Sequence, residues 1–343
     1  MPSPLSVAII GAGQIAGGYD LAKLPGDPGV YTHAGAYRAD GRFRLATVCD
    51  LDASRAETFR QQWNVERAIS EVQGVVKSFH DVVSVCTPND YHFEVVTDLI
   101  RNGSCKTLFV EKPLALELAQ MEEVGRMAQE QGVNVVVNFQ RRFDPSHQAI
   151  REDLARAPRR LLAANCFYIK GLEHIGSTMI DTLIFLLGEP ERVLGFRRVF
   201  NPAVREYSYD FALMYEDFGV TVRTADSPAA DYHYHIFEID LLLTDRRVTI
   251  NDNSRSIETR SLGSYAYGGV NTLNDRAPVR TGTGYPRSMC GCVDYLHQVT
   301  TGVRPHTVNT PEDSCRSKVI VEAVRLSYDL GHALDIGEHP WKK

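Results

Sequence analysis

Val7-Ala8-Ile9-Ile10-Gly11-Ala12-Gly13-Gln14-Ile15-Ala16-Gly17 is the stretch whose reading decides the fold. A short apolar strand runs into a glycine turn, and the turn opens a helix. Strand, glycine turn and helix in that order bind the pyrophosphate of a dinucleotide. Gly11 permits the tight turn, Gly13 lets the backbone approach phosphate, and Ala16 or Gly17 allows close helix packing. Gln14 and Ile15 complete the expected cofactor loop. A glycine triplet alone is weak, but here Asp50 answers it at the end of the next strand, Leu45-Ala46-Thr47-Val48-Cys49. Asp50 is expected to take the ribose hydroxyls. Its charge repels a 2′-phosphate, which favours NAD over NADP unless Arg55 turns inward to receive one.

Working outward, strand patterns fall at 5–10, 43–49, 82–86, 107–111 and 133–138, with a weak one near Ala68-Ile69. Helical patterns lie between them at 14–18, 53–62, 92–102 and 116–131. Alternation of this kind predicts right-handed crossovers and a doubly wound parallel sheet, a Rossmann domain. In helix 116–131, Leu116, Met121, Val124 and Met127 are expected to share one buried face. Tyr19 to Thr32, with Leu24-Pro25-Gly26-Asp27-Pro28-Gly29, reads as a loop inserted after the glycine turn. It places Asp50 well beyond the roughly 20 residues of the usual fingerprint. Two readings stand for it, a mobile flap beside the cofactor and a surface insertion without catalytic weight.

A second strand end carries chemistry. Thr107-Leu108-Phe109-Val110 leads into Glu111-Lys112-Pro113, and the proline holds Lys112 out of the α region at the carboxyl end of its strand. In an open parallel sheet those ends face the ligand crevice, so Lys112, with Glu111, is expected to share a cleft with the cofactor loop. Thr87-Pro88-Asn89-Asp90-Tyr91-His92 follows strand 82–86 and belongs to the same edge. Pro88 and His92 are expected to flank the cofactor there. For His92 the competing reading is a helix-start residue of no chemical role.

From Asn138 the pattern changes. Helices at 145–156 and 175–187 bracket a strand at 161–170, and strand-like runs follow at 192–200, 208–215, 218–224, 234–243 and 246–251. Consecutive strands without helical crossovers predict a mainly antiparallel sheet. Helices near 286–301 and 311–331 close the chain. The expected organisation is a Rossmann domain, 1–138, and an α+β domain, 139–343.

Composition narrows the function class. The net charge of −6 disfavours a nucleic-acid or membrane-surface partner. No stretch is long and apolar enough to span a bilayer, and Met1-Pro2-Ser3-Pro4 does not read as a signal peptide. The seven cysteines are scattered, and the one close pair, Cys290-Gly291-Cys292, lacks further ligands for a metal. Reduced thiols in a cytoplasmic protein are the expectation, with no metal. His233-Tyr234-His235 spaces two histidines on one strand face without a third ligand, so a solvated or interface face is preferred to a metal pair. The loop Gly263-Ser264-Tyr265-Ala266-Tyr267-Gly268-Gly269 is read equally as a flexible loop and as lining a sugar site or an oligomer contact. Of Arg141 and Arg142, one is expected to hold an anionic substrate and the other to brace the start of the second domain; Arg142 is taken as the substrate residue.

Gly11-x-Gly13-x-x-Ala16, Asp50, Thr87-Pro88-x-x-x-His92, Glu111-Lys112-Pro113 and Asn138-Phe139-Gln140-Arg141-Arg142-Phe143-Asp144-Pro145, in this order, resemble the glucose–fructose oxidoreductase/inositol dehydrogenase (Gfo/Idh/MocA) family. The resemblance covers nearly the whole chain. It implies a Rossmann domain plus an open-faced sheet domain, assembled as a dimer or tetramer through that sheet. It also implies NAD(P)-dependent oxidation or reduction of a hydroxyl or carbonyl on a sugar, sugar nucleotide or polyol, with Lys112 as the proton-transfer lysine. One motif departs from the family pattern. Where members carry an aspartate, then a histidine four residues on, then a second aspartate, this chain has His174, Thr178 and Asp181 before Leu186-Leu187-Gly188. Threonine cannot act as a base at neutral pH, whereas a histidine with an unperturbed pKa of about 6.5 can. The preferred reading is a rearranged relay on one helical face, with His174 catalytic and Thr178 and Asp181 contacting substrate. The alternative leaves Lys112 working with Tyr168 or a substrate hydroxyl. Two other functions compete: a glycosidase- or lyase-type reaction on tightly retained NAD, and a nucleotide-binding sensor without chemistry.

Overall fold

The computed structural model describes residues 3–157, 160–227, 235–264, 271–273 and 277–337. It divides into two compact units. The first is the chain up to Asp144 together with Pro286–Cys315, and the second is Pro145–Tyr285 with the chain from Arg316 onward. The single boundary expected at 138 therefore moves to Asp144/Pro145. The return of Pro286–Cys315 to the first unit is a non-local connection that strand and helix patterns do not encode.

The first unit contains β1 (Leu5–Ile10), α1 (Tyr19–Ala22), α2 (His33–Asp40), β2 (Phe43–Cys49), α3 (Ala53–Trp63), β3 (Arg67–Ile69), α4 (Gln73–Val76), β4 (His80–Val85), α5 (His92–Arg101), β5 (Cys105–Val110), α6 (Leu118–Gln131) and β6 (Asn134–Val137). Its six strands are parallel in the order β3-β2-β1-β4-β5-β6, the doubly wound order whose crevice opens between β1 and β4. Both faces are covered. Val7 and Ile9 of β1 join one core with Ala34 and Tyr37 of α2, while Ala8 and Ile10 join another with Val96 and Leu99 of α5. Burial on both faces is why these strands read as unbroken apolar runs.

Two local expectations are corrected. Helix α6 begins at Leu118, because Glu117 and Gln120 form a capping box there. Leu118 is buried with Met121, Val124 and Met127, and Leu116 lies outside the helix, 41% exposed. Helix α2 escaped the apolar-periodicity reading, although Thr32 caps it through its side chain onto the Gly35 amide and Gly41 ends it at φ 75°.

The insertion is pinned along its length. The Asp20 carboxylate accepts from the amides of Tyr31 and Thr32 and from the Thr32 hydroxyl, and Lys23 Nζ donates to the Gly29 carbonyl at 2.7 Å. Val30 N donates to the Pro286 carbonyl and Arg287 to that of Pro28. These ties oppose the flap reading.

The second unit holds α7 (Pro145–Arg156), β7 (Leu161–Tyr168), α8 (Ser177–Leu187), β8 (Arg192–Asn201), β9 (Glu206–Met214), β10 (Gly219–Thr224), β11 (Phe237–Leu243), β12 (Arg246–Asn251) and β13 (Ser256–Ser261). The short pair β14 (Gly263–Ser264) and β15 (Asn271–Thr272), then β16 (Val279–Gly282), follow. α9 (Ser288–Thr300) belongs to the first unit. α10 (Pro311–Leu330) and β17 (Leu334–Asp335) end the described chain. Nine strands form one sheet in the order β16-β13-β12-β11-β7-β10-β9-β8-β17, parallel at β7–β10 and antiparallel at the other pairings. Ala164, Cys166 and Tyr168 of β7 face the core beside Met179, Ile180 and Leu183 of α8. Phe167 and Leu242 stay exposed. Among the described residues no helix is long and apolar enough to cross a membrane. His233-Tyr234 and Tyr265-Ala266-Tyr267-Gly268-Gly269 lie outside the described residues.

Candidate active site

Four loops leave the carboxyl ends of neighbouring strands in the first unit: Gly11–Gly13 after β1, Asp50 after β2, Thr87–Tyr91 after β4 and Glu111–Pro113 after β5. A cleft of about 420 Å³ opens among the first three, lined by Gly11, Asp50, Arg55, Thr87, Pro88 and Tyr91 among others. Gly11 sits at φ +93°, and a Cβ there would lie 2.5 Å from the Cys86 carbonyl oxygen, so only glycine fits. At Gly13 nothing lies within 4 Å of a Cβ position, leaving the backbone open to a phosphate. Gly17 is the close-packing position, since a Cβ would fall 2.3 Å from Trp63 Nε1 of α3. Gln14 to Gly18 form a π-helical turn, and Ala16 within it is fully buried.

Asp50 is tied into the glycine loop. Its Oδ2 accepts from Ala12 N at 2.9 Å and its Oδ1 from Asp52 N at 3.0 Å, so the carboxylate fixes that loop. Arg55 reaches Asp50 at 3.5 Å and Asp52 at 3.7 Å while remaining largely exposed. Thr87 Oγ1 is buried with no hydrogen-bond partner among the described residues. Leaving a buried hydroxyl unpaired is costly, and a polar ligand in this cleft relieves it. Open backbone at Gly13, an acid at the second strand end and an orphan hydroxyl at the fourth together fit a dinucleotide.

Lys112 is half-buried, and its peptide to Pro113 is cis. The residue before it is locked. Glu111 N donates to Val85 O, and Glu111 Oε1 accepts from His33 Nε2 at 2.8 Å and from Asn138 Nδ2 at 2.6 Å. Burial pushes the Glu111 carboxyl up, but the His33 contact, the Asn138 amide and the Lys112 charge together bring it below its ordinary value. His33 Nδ1 lies 3.1 Å from Ser84 Oγ, which lies 2.8 Å from Tyr37 OH. His33 was not among the residues the sequence singled out; the Thr32–Gly41 capping signals are what place it at a helix start.

His92 needs correction as a cofactor-flanking group. It is fully buried, with Nδ1 2.7 Å from the Pro113 carbonyl oxygen and Nε2 2.9 Å from that of Thr87. It ties two of the four loops together and presents no surface to a ligand. Arg142 is corrected likewise. It is 7% exposed and pairs with Asp313 at 3.0 Å, a buried brace rather than an open anion site. Arg141 is equally buried.

The altered motif lies in the second unit, and its helix does not run as expected. Gly171–Gly176 form a π-helical turn and the α-helix starts at Ser177. The wider i→i+5 spacing breaks the i, i+4, i+7 register. His174 is exposed, Thr178 is half-buried and Asp181 is 1% exposed beside Ser317 Oγ, so the three do not share one open face. Thr178 Oγ1 is buried without a partner among the described residues. Acids hold the turn from behind. Glu206 accepts from Glu173 N, Asp226 from Lys170 N, and Glu173 itself pairs with Lys318 and Arg325. Tyr168 is not an alternative base: it is fully buried, donating to Tyr209 O and accepting from Tyr209 N, and burial drives its phenol far above the ordinary range.

All seven cysteines are free thiols, and burial holds those of Cys86 and Cys292 well above their ordinary value. Among the described residues no group of three or more histidine, cysteine, aspartate or glutamate side chains is placed to hold a metal.

Comparison with known proteins agrees with this geometry. Residues 5–139 match the profile of the Gfo/Idh/MocA oxidoreductase family, NAD-binding Rossmann fold. The chain is 31% identical over 212 residues to D-glucoside 3-dehydrogenase of Escherichia coli (strain K12), covering 57% of this chain and 56% of that protein. It is 31% identical over 201 residues to scyllo-inositol 2-dehydrogenase (NAD(+)) of Bacillus subtilis (strain 168), covering 51% and 56%. The chain thus spans little more than half the length of each. Levoglucosan dehydrogenase, solved with NADH and levoglucosan, shares the fold over 98% of this chain and 100% of its own, with a TM-score of 0.75 at 15% identity. Over residues 5–139 the chain is similar to the NAD-binding Rossmann domain of the Gfo/Idh/MocA oxidoreductase family.

Proposed function

We propose that this protein is an NAD-dependent dehydrogenase or reductase acting on a hydroxyl or carbonyl of a sugar or polyol. The observation that carries the reading is the shared edge of β1, β2, β4 and β5, where the glycine turn, Asp50, the orphan Thr87 hydroxyl and Lys112 all emerge. The sugar and inositol dehydrogenases among the relatives support the substrate class. Bound NAD supplies hydride exchange at its nicotinamide. Gly11 and Gly13 keep the backbone clear for the pyrophosphate, Asp50 accepts from the ribose, and Thr87 Oγ1 donates to the cofactor. With two acids at the ribose end, Asp50 and Asp52, NAD is preferred to NADP, and Arg55 is already engaged by both. Lys112 holds the substrate oxygen and moves its proton as the carbon is oxidised or reduced. In the second unit, the exposed imidazole of His174 is assigned a further acid–base role, and Thr178 offers a hydroxyl to substrate. Asp181, being buried, supports the helix.

The open sheet face, with Phe167 and Leu242 exposed, supports assembly as a homodimer or homotetramer, and the free thiols support a cytoplasmic setting. Purified protein incubated with NAD+ or NADH and a panel of sugars and polyols tests the reading. Nicotinamide absorbance should change with at least one of them, with cofactor exchanging freely. Turnover with cofactor permanently retained would point to the glycosidase- or lyase-type alternative, and binding without turnover to a sensor.

A further inference from the structure

We propose that His33, delivered by the pinned insertion, is a positioning residue that sets Lys112 through Glu111. The inference rests on the dehydrogenase reading only in its kinetic arm. An ionised carboxylate can only accept, so the contact at Glu111 Oε1 places a proton on His33 Nε2. In the neutral ring Nδ1 is then an acceptor. In that tautomer Ser84 donates to it, and Tyr37 OH, one turn along α2, donates to Ser84. Every donor in the chain Tyr37–Ser84–His33–Glu111 therefore points one way and ends on a carboxylate that Asn138 also holds. All five side chains are buried. Glu111 is mostly buried and its carboxylate is already engaged by His33 and Asn138, and its backbone is continuous with that of Lys112. What it can do is fix where the strand ends and so where the lysine emerges.

The insertion explains how a histidine that follows a long loop is placed with such definition. Asp20 gathers Tyr31 and Thr32, Thr32 caps α2, and His33 is the first residue of that helix. The loop works as a strut from the glycine turn to the far side of β4 and β5. His33 also packs against Phe109, the residue two before Glu111, with ring centroids 4.4 Å apart and planes tilted by 39°.

Three substitutions separate positioning from packing. In His33→Gln the amide nitrogen falls near the place of Nε2 and can still donate to Glu111. In His33→Asn it falls near Nδ1, facing Ser84, and cannot reach. His33→Ala has neither. In each variant the labelling rate of Lys112 by an amine-reactive reagent is followed by mass spectrometry against Lys77 in the same sample, alongside NAD+ affinity, kcat and KM. The expectation is that Asn and Ala variants change Lys112 labelling severalfold and lower kcat by about tenfold, leaving NAD+ affinity and KM within about twofold. The Gln variant should recover most of both losses. Equal impairment of Gln and Asn variants, or labelling unchanged in all three, overturns the proposal even if the enzyme turns over. The expected labelling pattern in a protein that oxidises no sugar upholds it while removing the dehydrogenase reading.

Discussion

The lysine loop of the first unit and the His174 turn of the second are anchored in opposite ways. Around Lys112 the anchors are buried side chains. Glu111 is held by His33 and Asn138, and His92 holds the Pro113 carbonyl. Around His174 the anchors are acids from β9 and the end of β10 that seize backbone amides, leaving the imidazole exposed on a π-helical turn. The first arrangement fixes a functional group from beneath with a network whose members satisfy one another. The second holds the turn through its backbone amides and the Glu173 carboxylate, with the imidazole on the exposed side. The expectation is strong dependence of chemistry on Lys112 and graded dependence on His174.

The largest effect should follow from removing the lysine itself. Lys112→Ala is expected to lower kcat by about 10² or more, as for a lost proton-transfer group. Cofactor affinity should hold, because the cleft is lined by the other three loops. Turnover that survives this change on a genuine substrate would remove the contrast between the two regions at its stronger end.

Next is Asp50→Ala, expected to weaken NAD by about 1.5–3 kcal/mol through lost charge-assisted hydrogen bonds. Part of that loss should come from the glycine loop, since Asp50 also holds Ala12 N. Titration with both cofactors checks it. Wild type binding NADPH more tightly than NADH would contradict the role given to this acid and bring Arg55 forward.

A smaller, pH-dependent effect is expected at Glu111. Its folded-state pKa lies below the ordinary value, so the stability it adds is fully present above the ordinary glutamate range and is lost as pH falls through the depressed value. Urea unfolding of wild type and Glu111→Gln across acid pH should show a stability difference greatest near neutrality and shrinking on acidification. A difference that grows as the pH drops would reverse the sign argued for this carboxylate.

How much of this was legible follows the same division. The positions of the glycine turn, Asp50 and Lys112 could be read because each sits at a strand end, which the local apolar runs announce. His33 could not be singled out, because its partner Glu111 is distant in sequence and the insertion hides the helix start. Arg142 looked like an anion site since nothing local announces Asp313. His92 carried the right motif, but its two carbonyl partners bury it. In the second unit, α-helical spacing was applied across a π turn, so His174, Thr178 and Asp181 were given a common face they do not have. Register errors of this kind are invisible to periodicity, which presumes the hydrogen-bond pattern it is used to find.

The smallest effects should separate His174 from Thr178. His174→Ala is expected to lower kcat by about tenfold and to remove an inflection from the pH–rate profile. A flat profile in wild type, with turnover unchanged in the variant, would leave the proton to Lys112 alone. Thr178 poses the finer question. Its hydroxyl is buried without a partner among the described residues, so the near-isosteric Thr178→Val removes an unsatisfied group and should leave stability unchanged or raise it by about 1 kcal/mol. If substrate supplies the missing partner, the same variant should bind that substrate less tightly, with KM rising severalfold and kcat little changed. Raised stability with unchanged KM would mean that the threonine is an unfilled polar group that touches nothing in the reaction. Raised stability with raised KM would identify it as a substrate contact whose cost the unliganded fold carries, the same pattern argued for Thr87 in the cofactor cleft.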